Sequence, residues 1–193
     1  MTQGQIIIGL TGTNGSGKGT VAQILKEQGF AYYSLSDVLR EELAKRGGTE
    51  TVNGLADLGN EIRRRHGPQA LAERVFQAIQ RDRQDRAIAD SIRNSAEVEF
   101  FRGACRFVFL AVDAPAPVRY ERVTERDRPG DRVSLAQFIA QEERQLSGGH
   151  DEQHLLRCMD MADVRIYNDG GEEALRAQVI SNLERLRVLD PGR

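Results

Sequence analysis

The chain has few cysteines, few lysines and no long apolar run. Its two cysteines, Cys105 and Cys158, do not make a disulfide framework in 193 residues, so we expect a reducing, cytoplasmic location. No apolar run approaches the length of a membrane span, and the apolar start is too short and too uncharged for a signal peptide. The sequence therefore predicts a protein without membrane association.

Charge of one sign is not in excess either. The net charge is −2 at pH 7, so no overall basic field indicates nucleic acid as a partner. Three of the 27 basic residues are lysines and the other 24 are arginines. Arginine suits bidentate contact with phosphate, although a compositional bias explains the ratio equally well. The length and composition are those of one globular domain.

Short apolar runs alternate with stretches of helical periodicity, which predicts β-α-β units and a parallel sheet. The predicted strands cover residues 6–10, 31–35, 87–92, 106–112 and 164–168. The predicted helices cover about 18–28, 37–46, 52–65, 68–82, 115–126 and 134–147. Three more are predicted: a short helix that starts at Asn94, a helix that ends near residue 161, and a closing helix that starts at residue 172. Ser36 is the predicted cap of the helix that starts at Asp37, and Pro68 is the predicted start of another.

The first strand leads into a glycine-rich segment and then a helix. The segment consists of Gly12, Thr13, Asn14, Gly15, Ser16, Gly17, Lys18, Gly19 and Thr20. A strand, a glycine-rich turn and a helix start together indicate a phosphate-binding loop. Its backbone N–H groups and the helix dipole would hold ATP phosphates, and Lys18 would meet the terminal ones. The alternative is a glycine-rich turn without a ligand, which these flanking elements disfavour.

Polar residues also follow the second and third strands. Ser36, Asp37 and Arg40 lie at the carboxyl end of the second strand, the edge where open α/β sheets bind ligands. The alternative there is a helix cap with an Asp37–Arg40 surface pair. Asp90 ends the third strand and can hold Mg²⁺, usually through water. The alternative for Asp90 is a capping or loop acid.

Arginines dominate the region after the fourth strand. Arg119, Arg122 and Arg126 are spaced i, i+3 and i+7, so they share one helix face. Such a row of arginines usually faces solvent. Only the predicted phosphate-binding loop favours a functional role for this one. Arg128, Arg132 and, at lower rank, Arg144 extend the set.

Two further groups have weaker functional signals. His150, His154 and Cys158 are spaced for a zinc site, but without a fourth ligand chance is the better interpretation. Arg63-Arg64-Arg65 ends a helix, where complementing the helix dipole is a sufficient role.

These motifs resemble the P-loop nucleoside monophosphate kinases. The likeness is greatest to the adenylate-kinase-related proteins common in archaea, also seen as the kinase-like part of some deoxycytidylate deaminases. It rests on the Gly-Lys-Gly-Thr end of the loop and on residues 36–46, 55–68, 90–99 and 162–171. Asn14 stands where the commonest form of the family has proline. Leu35-Ser36 and Asp90-Ser91-Ile92-Arg93 replace its common Thr-Gly and Asp-Gly-Phe-Pro-Arg.

The resemblance implies a three-layer α/β P-loop kinase fold whose five-stranded parallel sheet has the order 2-3-1-4-5. It implies an acceptor-binding arm over residues 37–82, a short lid over about 119–134, and an adenine-wrapping loop at 167–171. It assigns catalysis to Lys18, Arg122 and Arg126, and Mg²⁺ binding to Thr20 and Asp90. The acceptor phosphate would contact Ser36, Asp37, Arg40 and Arg93.

The expected reaction is transfer of the γ-phosphoryl group of ATP, with Mg²⁺ as cofactor, to a nucleoside monophosphate. The expected partners are thus ATP and a phosphorylated small molecule. One alternative is a kinase of another small molecule, such as dephospho-CoA. The other is an ATP-switched binding protein with slow ATPase activity and a protein or RNA partner. The sequence leaves the base and the sugar of the acceptor open.

Overall fold

The computed structural model describes residues 5–126, 133–146 and 154–188. There the chain forms a parallel sheet whose five strands are β1 (Ile6–Gly12), β2 (Ala31–Ser34), β3 (Arg86–Asp90), β4 (Arg106–Asp113) and β5 (Val164–Tyr167). Their order across the sheet is β2-β3-β1-β4-β5. This confirms the α/β fold and the strand order that we expected.

Helices connect the strands. In chain order they are α1 (Lys18–Glu27), α2 (Leu35–Lys45), α3 (Val52–His66), α4 (Ala70–Arg81), α5 (Ser95–Ala104), α6 (Ala116–Arg126), α7 (Leu135–Leu146), α8 (Leu155–Asp160) and α9 (Glu172–Arg185). None of the helices in these described ranges combines the length and the apolar character needed to cross a bilayer.

Two predicted helix starts are wrong. Ser34, not Ser36, caps α2, because its hydroxyl accepts a hydrogen bond from the Ser36 backbone N–H at 3.2 Å. The helix therefore begins at Leu35, directly at the end of β2. Pro68 precedes α4, which begins at Ala70 after Gln69. Both errors lie within the usual uncertainty of element boundaries.

The sheet is buried on both faces. All seven residues of β1 are buried, and successive side chains point to opposite faces. Ile6, Ile8 and Leu10 pack with residues of α1 and α9. Ile7 packs on the other face with residues of α2 to α5. The near-continuous apolar runs of a parallel sheet follow from this double burial.

The strand register brings the polar strand ends together. β3 pairs with both β1 and β2, and Ser34 of β2 lies beside Asp90 of β3. Because all strands run in the same direction, their carboxyl ends share one edge, which is where open α/β sheets bind ligands. The phosphate-binding loop follows β1 at that same edge.

Candidate functional site

The glycine-rich loop turns Lys18 inward. Gly17 caps α1 in the left-handed conformation with φ of 99°, and Lys18 is the first helical residue. The Lys18 ammonium donates hydrogen bonds to the backbone oxygens of Gly12 at 2.8 Å and Thr13 at 3.0 Å. Burial lowers the pKa of Lys18 to about 8, and the nearby Arg93 guanidinium adds to this effect, whereas Asp90 opposes it.

Two residues outside the loop fix its shape. Asn168 is buried and donates from Nδ2 to the Ser16 backbone oxygen at 2.9 Å. Its amide lies where a side chain at Gly17 would project, so only glycine fits there. Asp113 accepts a hydrogen bond from the Thr13 hydroxyl at 2.7 Å. The sequence signal for both roles was their position at the ends of β5 and β4.

Sequence reasoning missed these two supporting roles. Asn168 was placed only in an adenine-wrapping loop, and Asp113 received no role. One loop hydroxyl remains unsatisfied, since the buried Ser16 Oγ has no hydrogen-bond partner within the described residues. Buried hydroxyls normally have partners, and a phosphate oxygen would provide one here.

Asp90 and Thr20 line the same cavity as Lys18. The Asp90 carboxylate accepts hydrogen bonds from the Ser91 N–H at 2.6 Å and from the Tyr32 hydroxyl at 2.7 Å. Ser91 has φ of 66°, a conformation that favours glycine, and glycine is common here in the kinases that this chain resembles. Carboxylate and hydroxyl oxygens are ligands that Mg²⁺ prefers, so these residues fit that metal.

Helix α6 brings Arg122 and Arg126 to the loop. The helix packs directly on Gly15, because the Arg119 backbone oxygen lies where a Gly15 side chain would project. Arg126 Nη2 donates to Asn14 Oδ1 at 3.1 Å, and Arg122 Nη1 donates to the Asn168 backbone oxygen at 3.3 Å. Both arginines line the cavity.

Arg119 is on the same helix, at the predicted spacing, but it does not line the cavity with this pair. The side chain is buried, and its Nε donates to the Ala114 backbone oxygen at 2.7 Å. Its two terminal nitrogens contact the Glu142 carboxylate of α7. Arg119 therefore ties α6 to α7. Arg128, Arg132 and the Arg144 side chain lie outside the described residues.

Three of the four predicted acceptor residues line the same cavity as the phosphate-binding loop. These are Ser36, Arg40 and Arg93, whereas Asp37 lies on the outer side of α2. Arg40 donates from Nη1 to Asp37 at 2.6 Å and from Nε to Glu50 at 2.9 Å. Burial lowers the pKa of the Arg93 guanidinium. The Asp37–Arg40 pair that we considered as the alternative is therefore present, and Arg40 lines the cavity as well.

Arg63 is in the last turn of α3, as predicted, but complementing the helix dipole is not a sufficient account of it. Its side chain is 1% exposed, and Nε and Nη2 donate to Glu97 Oε1 at 3.0 and 2.8 Å. The other Glu97 oxygen, Oε2, accepts hydrogen bonds from the backbone N–H groups of Arg93 and Asn94. The Asn94–Glu97 capping box was readable from the sequence, but its buried partner on α3 was not.

One cavity of about 600 Å³ is lined by the phosphate-binding loop, Asp90, Arg122 and Arg126 and by Ser36, Arg40, Arg63 and Arg93. That size is typical of small-molecule sites. Helices α2, α3 and α4 give it an apolar wall formed by Leu35, Leu39, Val52, Leu55, Ala56 and Leu71.

The zinc hypothesis gains no support from the described residues. They contain no group of three or more His, Cys, Asp or Glu side chains placed to hold a metal. His150 lies outside the described ranges. His154 precedes α8 and its backbone N–H donates to the Arg93 oxygen at 2.8 Å, while Cys158 is fully buried.

Comparison with known proteins gives the family. A model for an AAA domain matches residues 11–138. A UPF0200 protein from Hyperthermus butylicus is 31% identical over 182 residues, which are 94% of this chain and 95% of that protein. The chain belongs to the UPF0200 family and contains an AAA domain. A UPF0200/UPF0201 protein from Archaeoglobus fulgidus is 34% identical over 171 residues, and the UPF0200 chain spans 51% of its length.

Solved structures share the fold of this UPF0200 chain. A Thermus thermophilus protein is 25% identical with a TM-score of 0.59, over 95% of this chain and 99% of that one. Shikimate kinase from Aquifex aeolicus is 17% identical with a TM-score of 0.52 and the same coverages. Dephospho-CoA kinase from Campylobacter jejuni is 14% identical with a TM-score of 0.50, over 93% of this chain and 96% of that one. The expected P-loop kinase fold is confirmed.

Proposed function

We propose that the protein transfers the γ-phosphoryl group of Mg-ATP to the phosphate of a nucleoside or deoxynucleoside monophosphate. One observation carries the proposal: the cavity that the phosphate-binding loop lines is also lined by Arg93, near Lys18, and by Arg40 of α2. Arginines beyond those of the loop and α6 suit a second phosphate-bearing ligand. The apolar wall beside Arg40 suits the flat face of a base.

The chain's own residues can neutralise and position both phosphates. The loop N–H groups and Lys18 would hold the β- and γ-phosphates, and Arg122 and Arg126 would offset charge on the transferred group. Thr20 and Asp90 would hold Mg²⁺, which supplies further charge neutralisation on the phosphate oxygens. Ser36, Arg40 and Arg93 would hold the acceptor phosphate, with Asp37 orienting Arg40. No general base is needed, because a phosphate acceptor is already nucleophilic.

Base selection is expected to be weak. The arm side of the cavity has six aliphatic side chains, and its polar groups Ser36, Arg40, Glu50 and Thr51 are partly or fully exposed. The buried Arg63 also lines it, but its guanidinium is already paired with Glu97. A site that strongly selects one base needs buried polar groups that the wrong base leaves unpaired. We therefore propose turnover of more than one nucleoside monophosphate and none of unphosphorylated nucleosides.

An acceptor screen tests the proposal. ATP-to-ADP conversion is measured with ribo- and deoxyribonucleoside monophosphates, nucleosides, shikimate, gluconate and dephospho-CoA. We expect several monophosphates to raise the rate severalfold, and the Lys18→Ala variant to lose this stimulation while it stays folded. Turnover only of dephospho-CoA or of a hydroxyl acceptor would overturn the nucleotide assignment. No stimulation, with tight binding of a protein or RNA only in ATP, would favour the switch alternative.

A further inference from the structure

Tyr32 is an aromatic residue of the cavity that the proposed reaction does not use. It lies on β2, is 39% exposed, and its ring belongs to the cavity wall. A core role does not account for it, because so much of the side chain reaches solvent. Its hydroxyl donates to Asp90 Oδ2 at 2.7 Å, across 58 positions of sequence.

The sheet register produces this contact. Ser34 pairs with Asp90, and Tyr32 lies two residues before Ser34 on the neighbouring strand. Side chains two apart on a strand share a face, so Tyr32 and Asp90 stand diagonally on the same face. Tyr33 points to the other face, where its hydroxyl donates to the exposed Asp82 carboxylate at 2.9 Å.

Two donors from opposite sides fix the Asp90 carboxylate. The Ser91 N–H binds Oδ1 at 2.6 Å and the Tyr32 hydroxyl binds Oδ2. A carboxylate has about four lone-pair positions, so each oxygen keeps one for a metal or its water.

We propose that Tyr32 is a positioning residue that orients Asp90 toward the Mg²⁺ of the bound nucleotide. The inference rests on the assignment of Asp90 and Thr20 to the metal, which is part of the proposed function. Partners that orient a metal-binding carboxylate commonly contribute ten- to hundredfold in metal affinity. Tyr32→Phe removes the hydroxyl alone and keeps the ring.

The test measures binding of a non-hydrolysable ATP analogue by calorimetry, in Mg²⁺ and in EDTA, without any acceptor. For Tyr32→Phe we expect roughly tenfold weaker binding in Mg²⁺ and unchanged binding in EDTA. Tyr33→Phe is the matched control, because it removes a hydroxyl–carboxylate contact from the same strand outside the cavity. It should leave both affinities unchanged.

A double-mutant cycle tests whether Tyr32 acts through Asp90. Asp90→Asn should reduce the Mg²⁺-dependent gain, and Tyr32→Phe/Asp90→Asn should be no weaker than Asp90→Asn alone. The proposal is overturned if Tyr32→Phe binds like the wild type in Mg²⁺. Equal losses in Mg²⁺ and EDTA, or no effect of Asp90→Asn, would overturn it as well. A failed acceptor screen would leave this result intact, because the measurement contains no acceptor.

Discussion

At the residue scale, burial and partners separate arginines that look alike in the sequence. Arg122 and Arg126 reach the cavity, whereas Arg119 of the same helix is buried against Glu142. Arg40 lines the cavity, whereas Arg46, which caps the C-terminal end of α2, pairs with Glu42 and Glu61 on the surface. Only the arginines that line the cavity are placed to touch a ligand. Substitutions there should therefore change the kinetics more than substitutions of the buried or surface arginines.

The pH dependence of ATP binding should reveal the buried state of Lys18. Its pKa is lowered to about 8 in the ligand-free protein, so the ammonium is charged below that pH and neutral above it. Bound phosphates favour the charged form, and binding above pH 8 must therefore take up a proton. We expect ATP affinity to fall as pH rises above about 8. Calorimetry from pH 7 to pH 9.5 measures the effect.

Lys18→Ala is the control for this titration. The variant should bind ATP more weakly at pH 7, and it should not show the loss of affinity above pH 8. A wild-type affinity that is constant across the range would contradict the buried Lys18 assignment.

Arg40 and Arg126 should separate acceptor binding from turnover. Arg40→Ala should raise the acceptor KM, because Arg40 lines the cavity from α2, which belongs to the proposed acceptor arm. Arg126→Ala should lower kcat with a modest change in that KM, because Arg126 contacts Asn14 of the phosphate loop. Loss of a charge-assisted hydrogen bond corresponds to about ten- to hundredfold in each case. Steady-state kinetics with an acceptor found in the screen measures both.

Arg46→Ala provides the matched control at the C-terminal cap of α2. It removes the same charge from the end of the same helix, but Arg46 pairs with surface carboxylates outside the cavity. Its kinetic constants should stay within about twofold of the wild type, as expected for exposed ion pairs. Unchanged kinetics in both Arg40→Ala and Arg126→Ala would refute the placement of the two ligands.

At the element scale, one carboxylate joins two helices and the loop between β3 and α5. Glu97 of α5 binds Arg63 of α3 through one oxygen, and the backbone of Arg93 and Asn94 through the other. The Glu97 carboxylate therefore ties α3 to the loop that carries Arg93. Gly59 makes room for this arrangement, because a side chain there would meet Arg63 Nη1 at 3.1 Å.

Neutralising Glu97 should destabilise the protein strongly. Glu97→Gln leaves the buried Arg63 charge without its counter-ion, and breaking such a pair typically costs about 3–5 kcal/mol. Urea unfolding measures the change in the free energy of unfolding. The matched control is Glu61→Gln, which neutralises the 30%-exposed partner of Arg46 and Arg65. Its expected cost is about 0–1 kcal/mol. Equal costs for the two variants would argue against a buried ion pair.

At the scale of the whole molecule, the cavity brings together α2, α3, α6 and the carboxyl ends of β2 and β3. The elements that surround it are far apart in sequence but share one edge of the sheet. A ligand in the cavity should therefore stabilise the folded chain as a unit. The size of this effect depends on the ligand concentration relative to its dissociation constant.

Thermal unfolding should show this coupling. A non-hydrolysable ATP analogue with Mg²⁺ at 100 times its dissociation constant should add about 2.7 kcal/mol to the free energy of unfolding. An acceptor monophosphate should raise the Tm further when the analogue is already bound. Lys18→Ala should lose most of the shift caused by the analogue. A Tm that does not respond to the analogue would contradict nucleotide binding at the loop.

The sequence by itself determined the elements, the strand order implied by the family resemblance, and the phosphate-binding loop. These features depend on local signals. Apolar runs and helical periodicity set the secondary structure, and Gly12 to Thr20 are contiguous in the chain. The predicted strands and the structure's strands differ at their ends by two residues or fewer. Helix capping was less accurate at Ser34, because two serines were near enough to serve.

Only the tertiary structure decided which side chains meet in the cavity. Three hydrogen-bonded pairs are far apart in the sequence. The separations are 152 positions for Asn168 and Ser16, 58 positions for Tyr32 and Asp90, and 34 positions for Arg63 and Glu97. No local pattern encodes such pairs, since an arginine on a helix looks the same in the sequence whether it is solvated or buried. The register of the sheet and the packing of helices on it decide burial, and burial determines whether a charge pairs with protein or remains placed for a ligand.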